Sequence, residues 1–116
     1  MHEGAIAESI VDILKRVKAE SSIDKVTKVR LKIGIMSGVM VDALLFALEA
    51  LRTEESIIKE TEFEVIETQV KAKCNLCGKI YSYNDSTDIV MLCESCGMPL
   101  DIVEGKEMEI IDIEGD

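Results

Sequence analysis

Four cysteines stand in two matched pairs, Cys74-Asn-Leu-Cys77-Gly and Cys93-Glu-Ser-Cys96-Gly, with fifteen residues between the pairs. They are the only cysteines in the chain. This C-x2-C-x15-C-x2-C spacing closes four thiolates around one tetrahedral zinc ion. Each pair fits a tight turn that aims both sulfurs the same way. The glycine after each second cysteine, Gly78 and Gly97, admits a left-handed backbone that lets amide N–H groups point at the sulfurs. A closed four-sulfur site has no open coordination position, so the expected role of Zn(II) is structural. The motif speaks for a metal and says little about activity.

Other chemistries use cysteines in pairs. A rubredoxin-like iron site employs similar turns, although ligand preference favours zinc. Disulfides suit an oxidising compartment, and nothing in the sequence directs export. Thiol–disulfide catalysis needs a low-pKa cysteine, typically at a helix N-terminus beside a cation. Neither pair precedes a helical pattern, and Asn75, Leu76, Glu94 and Ser95 supply no cation.

The second chemical feature is the opening Met1-His2-Glu3, which contains the only histidine of the chain. A bulky second residue predicts that Met1 is kept, with a free amine. The Met1 amine, the His2 amide nitrogen and the His2 imidazole can all reach one cation and form fused chelate rings. Such planar, nitrogen-rich coordination suits Ni(II) or Cu(II), whose d electrons favour square-planar geometry, and gives zinc less advantage. Binding displaces protons from the amine and the imidazole, so affinity falls on acidification. The bland alternative is an ordinary histidine at a frayed terminus. Against it, a helix begins within a few residues and tethers this terminus to a rigid element.

Charge narrows the partners. The chain has 116 residues and a formal net charge of −10, which opposes nonspecific binding to nucleic acid or anionic membranes. Acidic residues outnumber basic ones thirteen to nine over 1–70, four to three over 71–103 and six to one over 104–116. The cysteine segment is therefore not basic, unlike a nucleic-acid-binding ribbon. The first twenty residues do not read as a signal peptide, because Glu8 and Asp12 interrupt the apolar stretch and no basic residue precedes it. No apolar run is long enough to span a bilayer. The expected location is the cytoplasm, where thiols stay reduced.

Five elements and a metal module must position these groups. Residues 4–19 read as an amphipathic helix with Ile6, Ile10, Ile13, Leu14 and Val17 on its apolar face. Residues 26–35 alternate as a half-buried strand, with Val29, Leu31, Ile33 and Ile35 against Lys28, Arg30 and Lys32. A second helix spans about 40–52, with Leu44, Leu45, Leu48 and Leu51 as its stripe. Residues 62–73 form the next strand, acidic through Glu62, Glu64 and Glu67, and its phase slip between Val65 and Ile66 predicts a bulge. Residues 107–114 form a last acidic strand. Opposite charges on neighbouring strands are favourable, so the basic strand is expected to pair with one or both acidic strands. The fold class is α+β: a mixed sheet of about three strands with two helices on one face, plus a β-rich four-cysteine zinc module. The domains are 1–70, completed by 104–116, and a zinc module over 71–103. Few large apolar residues fall in 71–103, so this module is expected to need its ion to fold.

Taken together these residues resemble the HypA family (which includes HybF), nickel metallochaperones of [NiFe]-hydrogenase maturation. The resemblance rests on Met1-His2-Glu3, on Lys32-Ile33-Gly34, and on Cys74/Cys77 and Cys93/Cys96, in order over essentially the whole chain. It implies a chaperone rather than an enzyme, carrying Ni(II) at its amino terminus through His2 and backbone nitrogens, with Glu3 in the same signature. It implies structural Zn(II) on the four cysteines. It implies the HypB GTPase and the hydrogenase large subunit as partners, with no nucleic acid and no membrane, and leaves a monomer and a homodimer both open. Members of the family usually carry a large residue after the Met-His-Glu triplet; here Gly4 stands there, which loosens the terminus or opens room for a partner. Asp42 is the nearest candidate for an additional carboxylate found in some members, but it is displaced from that position and reads first as a first-turn acid of the second helix. A zinc-ribbon adaptor for nucleic acid or transcription machinery is the competing reading, explaining the cysteines but not Met1-His2.

Overall fold

The computed structural model describes residues 2–84 and 89–116. Its elements are α1 (Glu3–Glu20), β1 (Val26–Gly34), α2 (Val41–Leu51), a short 3-10 turn (Ser56–Ile58), β2 (Glu62–Thr68), β3 (Val70–Lys73), β4 (Ile80–Tyr83), β5 (Asp101–Glu104) and β6 (Met108–Gly115). The strands make two three-stranded sheets, ordered β2-β1-β6 and β4-β3-β5. The molecule measures 55 × 26 × 17 Å.

In the first sheet the basic strand lies between both acidic ones. β1 runs parallel to β2 and antiparallel to β6. Lys28 reaches Glu64 at 2.9 Å. Arg30 meets Asp112, with Glu114 at 3.2 Å and Glu64 at 3.5 Å. These pairs sit on the open face, where solvent screens them and each is worth little alone. They act on register: a one-residue slip of either outer strand would turn its acids away from the basic row.

The other face carries the apolar core. Ile6, Ala7, Ile10, Val11 and Leu14 of α1 and Leu44 and Leu48 of α2 are buried against Val29, Leu31 and Ile33. The buried face of α1 is thus turned from the expected stripe: Ala7 and Val11 lie inside, while Ile13 is 40% exposed. The small Ala7 side chain lets α1 come close. Thr61, the one buried polar residue among those described, gives its hydroxyl to the Val26 carbonyl at 2.7 Å.

Residues 62–73 are two strands rather than one bulged strand. The β1–β2 register runs unbroken from Lys28 opposite Glu62 to Gly34 opposite Thr68. Without a bulge, strict alternation puts Ile66 on the open face, where it is partly exposed. The break comes at Gln69, where the chain crosses from the first sheet to the second. The sheet is irregular instead where β1 pairs with β6, with register shifts between Val26 and Lys28 and between Arg30 and Leu31.

The second sheet has a small core: Ala72, Cys74, Cys93 and Leu100, with Tyr81 and Met91 packed beside it. Apolar residues are present in this segment but many stay in solvent, Leu76 at 70% and Ile80 at 60% exposure among them. Its shortage is of burial as much as of apolar residues.

Where the two connections between the sheets cross, backbones touch. A Cβ on Gly34 would overlap the Gly105 carbonyl, and Gly105 itself has φ +117° against Val70. The Glu107 carboxylate accepts from the Thr68 hydroxyl and from the Gly105 amide at 3.0 Å. The Gly34 amide donates to the Glu107 carbonyl at 2.8 Å, and the Met36 amide to the Gly105 carbonyl at 2.8 Å.

Candidate metal centres

The two cysteine turns are built alike. Gly78 donates to the Cys74 carbonyl and Gly97 to the Cys93 carbonyl, both at 2.8 Å. The Cys74 amide donates to Lys79 at 2.9 Å, and the Cys93 amide to Met98 at 2.8 Å. Gly78 and Gly97 have φ of 78° and 71°, which a side chain would strain. Each turn directs the amides at +2 and +3 to its first sulfur: Cys77 and Leu76 serve Cys74, and Cys96 and Ser95 serve Cys93. The first cysteine of each pair is buried and the second faces solvent.

β3 leads into the first turn and β5 leaves the second, and their antiparallel pairing brings the turns face to face. All four sulfurs fall within 4.8 Å of one another. Cys74 and Cys96 are 3.3 Å apart and Cys77 and Cys93 3.6 Å apart. Sulfurs about 2.3 Å from a tetrahedral zinc ion stand roughly 3.8 Å from each other, so the cluster has the right size. Its protons tell the same story. The Tyr81 hydroxyl, followed by the Cys96 and Ser95 amides, lowers the Cys93 thiol to about 6. At Cys96 the Met98 amide pulls down, but Cys74, burial and the other two sulfurs prevail and push it up to about 12. The protein's own groups favour some thiolates and resist the rest. A divalent cation removes that resistance, and the site suits structural zinc.

Tyr81 is the functional residue that spacing did not reveal. Its hydroxyl lies 3.3 Å from the Cys93 sulfur and accepts from the Glu94 amide at 3.0 Å. The Lys79 ammonium stands over its ring, 5.2 Å from the centroid. β4 carries Tyr81 across to the opposite turn, a contact that local sequence does not encode.

The amino terminus is the second candidate. Met1 lies outside the described residues. His2 is the N-cap of α1, with φ −91° and ψ 108°. Its Nδ1 accepts a hydrogen bond from the Ala5 amide at 3.3 Å, and its carbonyl accepts from Ile6 at 3.2 Å. The Glu3 carboxylate accepts from the Met40 amide at 3.1 Å. That amide holds the Glu3 carboxyl below the ordinary carboxylate range. Glu3 therefore ties the start of α1 to the start of α2. Asp42 occupies the first turn of α2 and, with Met40 and Glu67, lines an open cavity of about 330 Å³. The room left by Gly4 is taken by the ring of His2: a Cβ there would stand 3.1 Å from His2 Cε1 and 3.3 Å from Nδ1.

Comparison with known proteins covers the whole chain. The family described as "Hydrogenase/urease nickel incorporation, metallochaperone, hypA" matches residues 1–115. The hydrogenase maturation factor HypA of Chloroflexus aurantiacus is 32% identical over 115 residues, 98% of either chain. That of Aquifex aeolicus is 30% identical over 115 residues, 98% of this chain and 96% of its own. The solution structure of the Ni metallochaperone HypA from Helicobacter pylori shares the fold, with a TM-score of 0.70 at 22% identity, covering 99% of this chain and 97% of that one.

Proposed function

The chain belongs to the HypA family of nickel-incorporation metallochaperones acting in hydrogenase maturation, and from that premise we propose that it takes up Ni(II) at Met1-His2 and delivers it to the large subunit of a [NiFe]-hydrogenase. The observation that carries this reading is the position of His2 at the head of an eighteen-residue helix. A terminal chelate is normally disordered; here the His2 carbonyl accepts from the Ile6 amide at 3.2 Å, so the backbone of the ligating residue is tethered to a rigid element. The Met1 amine, the His2 amide nitrogen and His2 Nδ1 form two fused rings around a planar cation. Glu3 serves by holding the helix start against Met40, next to the same site.

The four cysteines hold Zn(II) in this proposal, and the chain divides into a nickel domain of residues 1–70 and 104–116 and a zinc module of 71–103. The two sites have opposite duties. A cargo site must be stripped by ligand exchange, and an open-edged terminal chelate allows it. A closed four-thiolate site resists it. The HypB GTPase is the proposed co-worker, and the cytoplasm the proposed compartment. Among the described residues no helix is long and apolar enough to cross a membrane. The adaptor reading accounts for the cysteines alone, not for a family match that begins at residue 1.

A Ni(II) titration of the zinc-loaded protein with native Met1 tests the proposal. The expected result is a one-equivalent yellow band of planar nickel, absent from His2→Ala, which keeps its zinc and its fold. Normal hydrogenase activity in cells carrying only His2→Ala would end the proposal.

A further inference from the structure

Gly4 and the His2 ring occupy one another's space, and this bears on how the cargo is admitted. Nδ1 is the imidazole nitrogen that closes a chelate ring with the amide of its own residue. In the structure the same nitrogen accepts the Ala5 N–H at 3.3 Å. It satisfies one of the amide donors that a helix start leaves without a partner. One nitrogen lone pair cannot serve both the helix and a metal. The ring reaches Ala5 only by lying back over the first turn, and the absence of a side chain at residue 4 permits that: a Cβ there would stand 3.1 Å from Cε1 and 3.3 Å from Nδ1. Both distances are tighter than ordinary van der Waals contact. The bond to Ala5 is already long, so a ring displaced by a few tenths of an ångström loses it.

We propose that Gly4 keeps the free protein latched, with His2 Nδ1 capping α1 through the Ala5 amide, so that nickel enters by displacing this cap. The inference rests on the terminal nickel site argued above. The latched state competes with the loaded one, and apparent nickel affinity is reduced by the fraction of molecules latched. Side-chain caps of this kind shift a helix start by factors of about two to ten. A side chain at residue 4 weakens the latch without touching a ligand, so it tightens nickel binding. An imidazole that accepts at Nδ1 carries its proton on Nε2, which gives a reading independent of metal. The latch also accounts for how an exposed cargo site stays ordered before loading: the helix, rather than a metal, holds the ring.

The test compares the zinc-loaded full chain with Gly4→Ala and Gly4→Leu, at about pH 8. Without nickel, the imidazole nitrogen shifts are expected to show the Nε2–H tautomer in the parent and a tautomer mixture in both variants. The Ala5 amide proton is expected to shift towards its solvent-exposed position in both. With Ni(II) added, both variants are expected to bind about twofold to tenfold more tightly. Unchanged imidazole and Ala5 signals in both variants would overturn the latch. Changed signals with equal nickel affinity would overturn the competition. A missing planar band in the parent and both variants would overturn the terminal nickel site itself, a failure distinct from the other two.

Discussion

The two sheets of this protein are held together by different means. The first closes over a core of thirteen buried residues drawn from two helices, the 3-10 turn and the central strand. The second has four, and two of those are cysteines. One region is made stable by removing apolar surface from water; the other leaves Leu76, Ile80, Val90, Leu92 and Val103 in solvent and gathers four sulfurs instead. A short segment with so small a core does not fold on burial alone. On the proposed assignment the difference also sorts the metals: the ion needed for folding sits where the core is small, and the ion to be given away sits on the region that the core already holds.

Removing zinc breaks the comparison most sharply. Structural zinc contributes on the order of 10 kcal/mol to the folding of small zinc peptides. Cys93→Ser is therefore expected to abolish ordered amide signals over 70–104 while leaving those of β1 in place. Loss of both sets together would mean that the first sheet does not stand on its own core. Tyr81→Phe sharpens it. The variant removes the hydroxyl that meets the Cys93 sulfur and keeps the ring. Partners of metal ligands typically matter by about 10-fold to 100-fold in metal affinity, so competition with a coloured chelator should show zinc held at least about 10-fold less tightly. Equal affinity would make the hydroxyl a bystander. The smallest effect belongs to the junction. The Thr68 hydroxyl, aided by the Gly105 amide, holds the Glu107 carboxyl below its usual 4.5. A carboxyl lowered by folding stabilises the fold above its unfolded pKa, and that contribution disappears as pH falls through the lower, folded value. Acidification below about 4.5 should loosen the Gly34 amide bond to Glu107, and Glu107→Gln should flatten this acid response. An identical acid profile in the variant would remove Glu107 from the account. Gly34 belongs to the first sheet, so zinc loss from the second does not obscure the reading.

Much of this was legible in the sequence for identifiable reasons. The strict alternation of residues 28–33 and the opposite charges of its neighbours set β1 against one or both acidic strands, and the structure puts it between the two. The cysteine spacing anticipated the gathered sulfurs. Periodicity failed where packing set the phase: the choice between Val11 and Ile13 for the inside of α1 depends on how close Ala7 lets the helix approach. It failed again at residues 62–73, because a strand that changes sheets at Gln69 and a strand that bulges both look like one apolar run with a slip. Tyr81, the Glu3–Met40 tie and the folded-back His2 ring were out of reach, since each is a contact between groups whose proximity only the assembled fold creates.

The crossing at Gly34 and Gly105 bears on how such a protein can change over generations. The chain leaves the first sheet after Thr68 and rejoins it at Met108, and the two points are neighbours, with Gly105 against Val70 and Gln69. Seen from the first sheet, everything between them is one long hairpin hanging from a single stem. Insertions, deletions or an exchanged ligand set within that hairpin leave the strand order of the first sheet untouched. The metal module is thus a replaceable cassette, open to redesign by selection or by an engineer, while glycines at the stem must stay glycines.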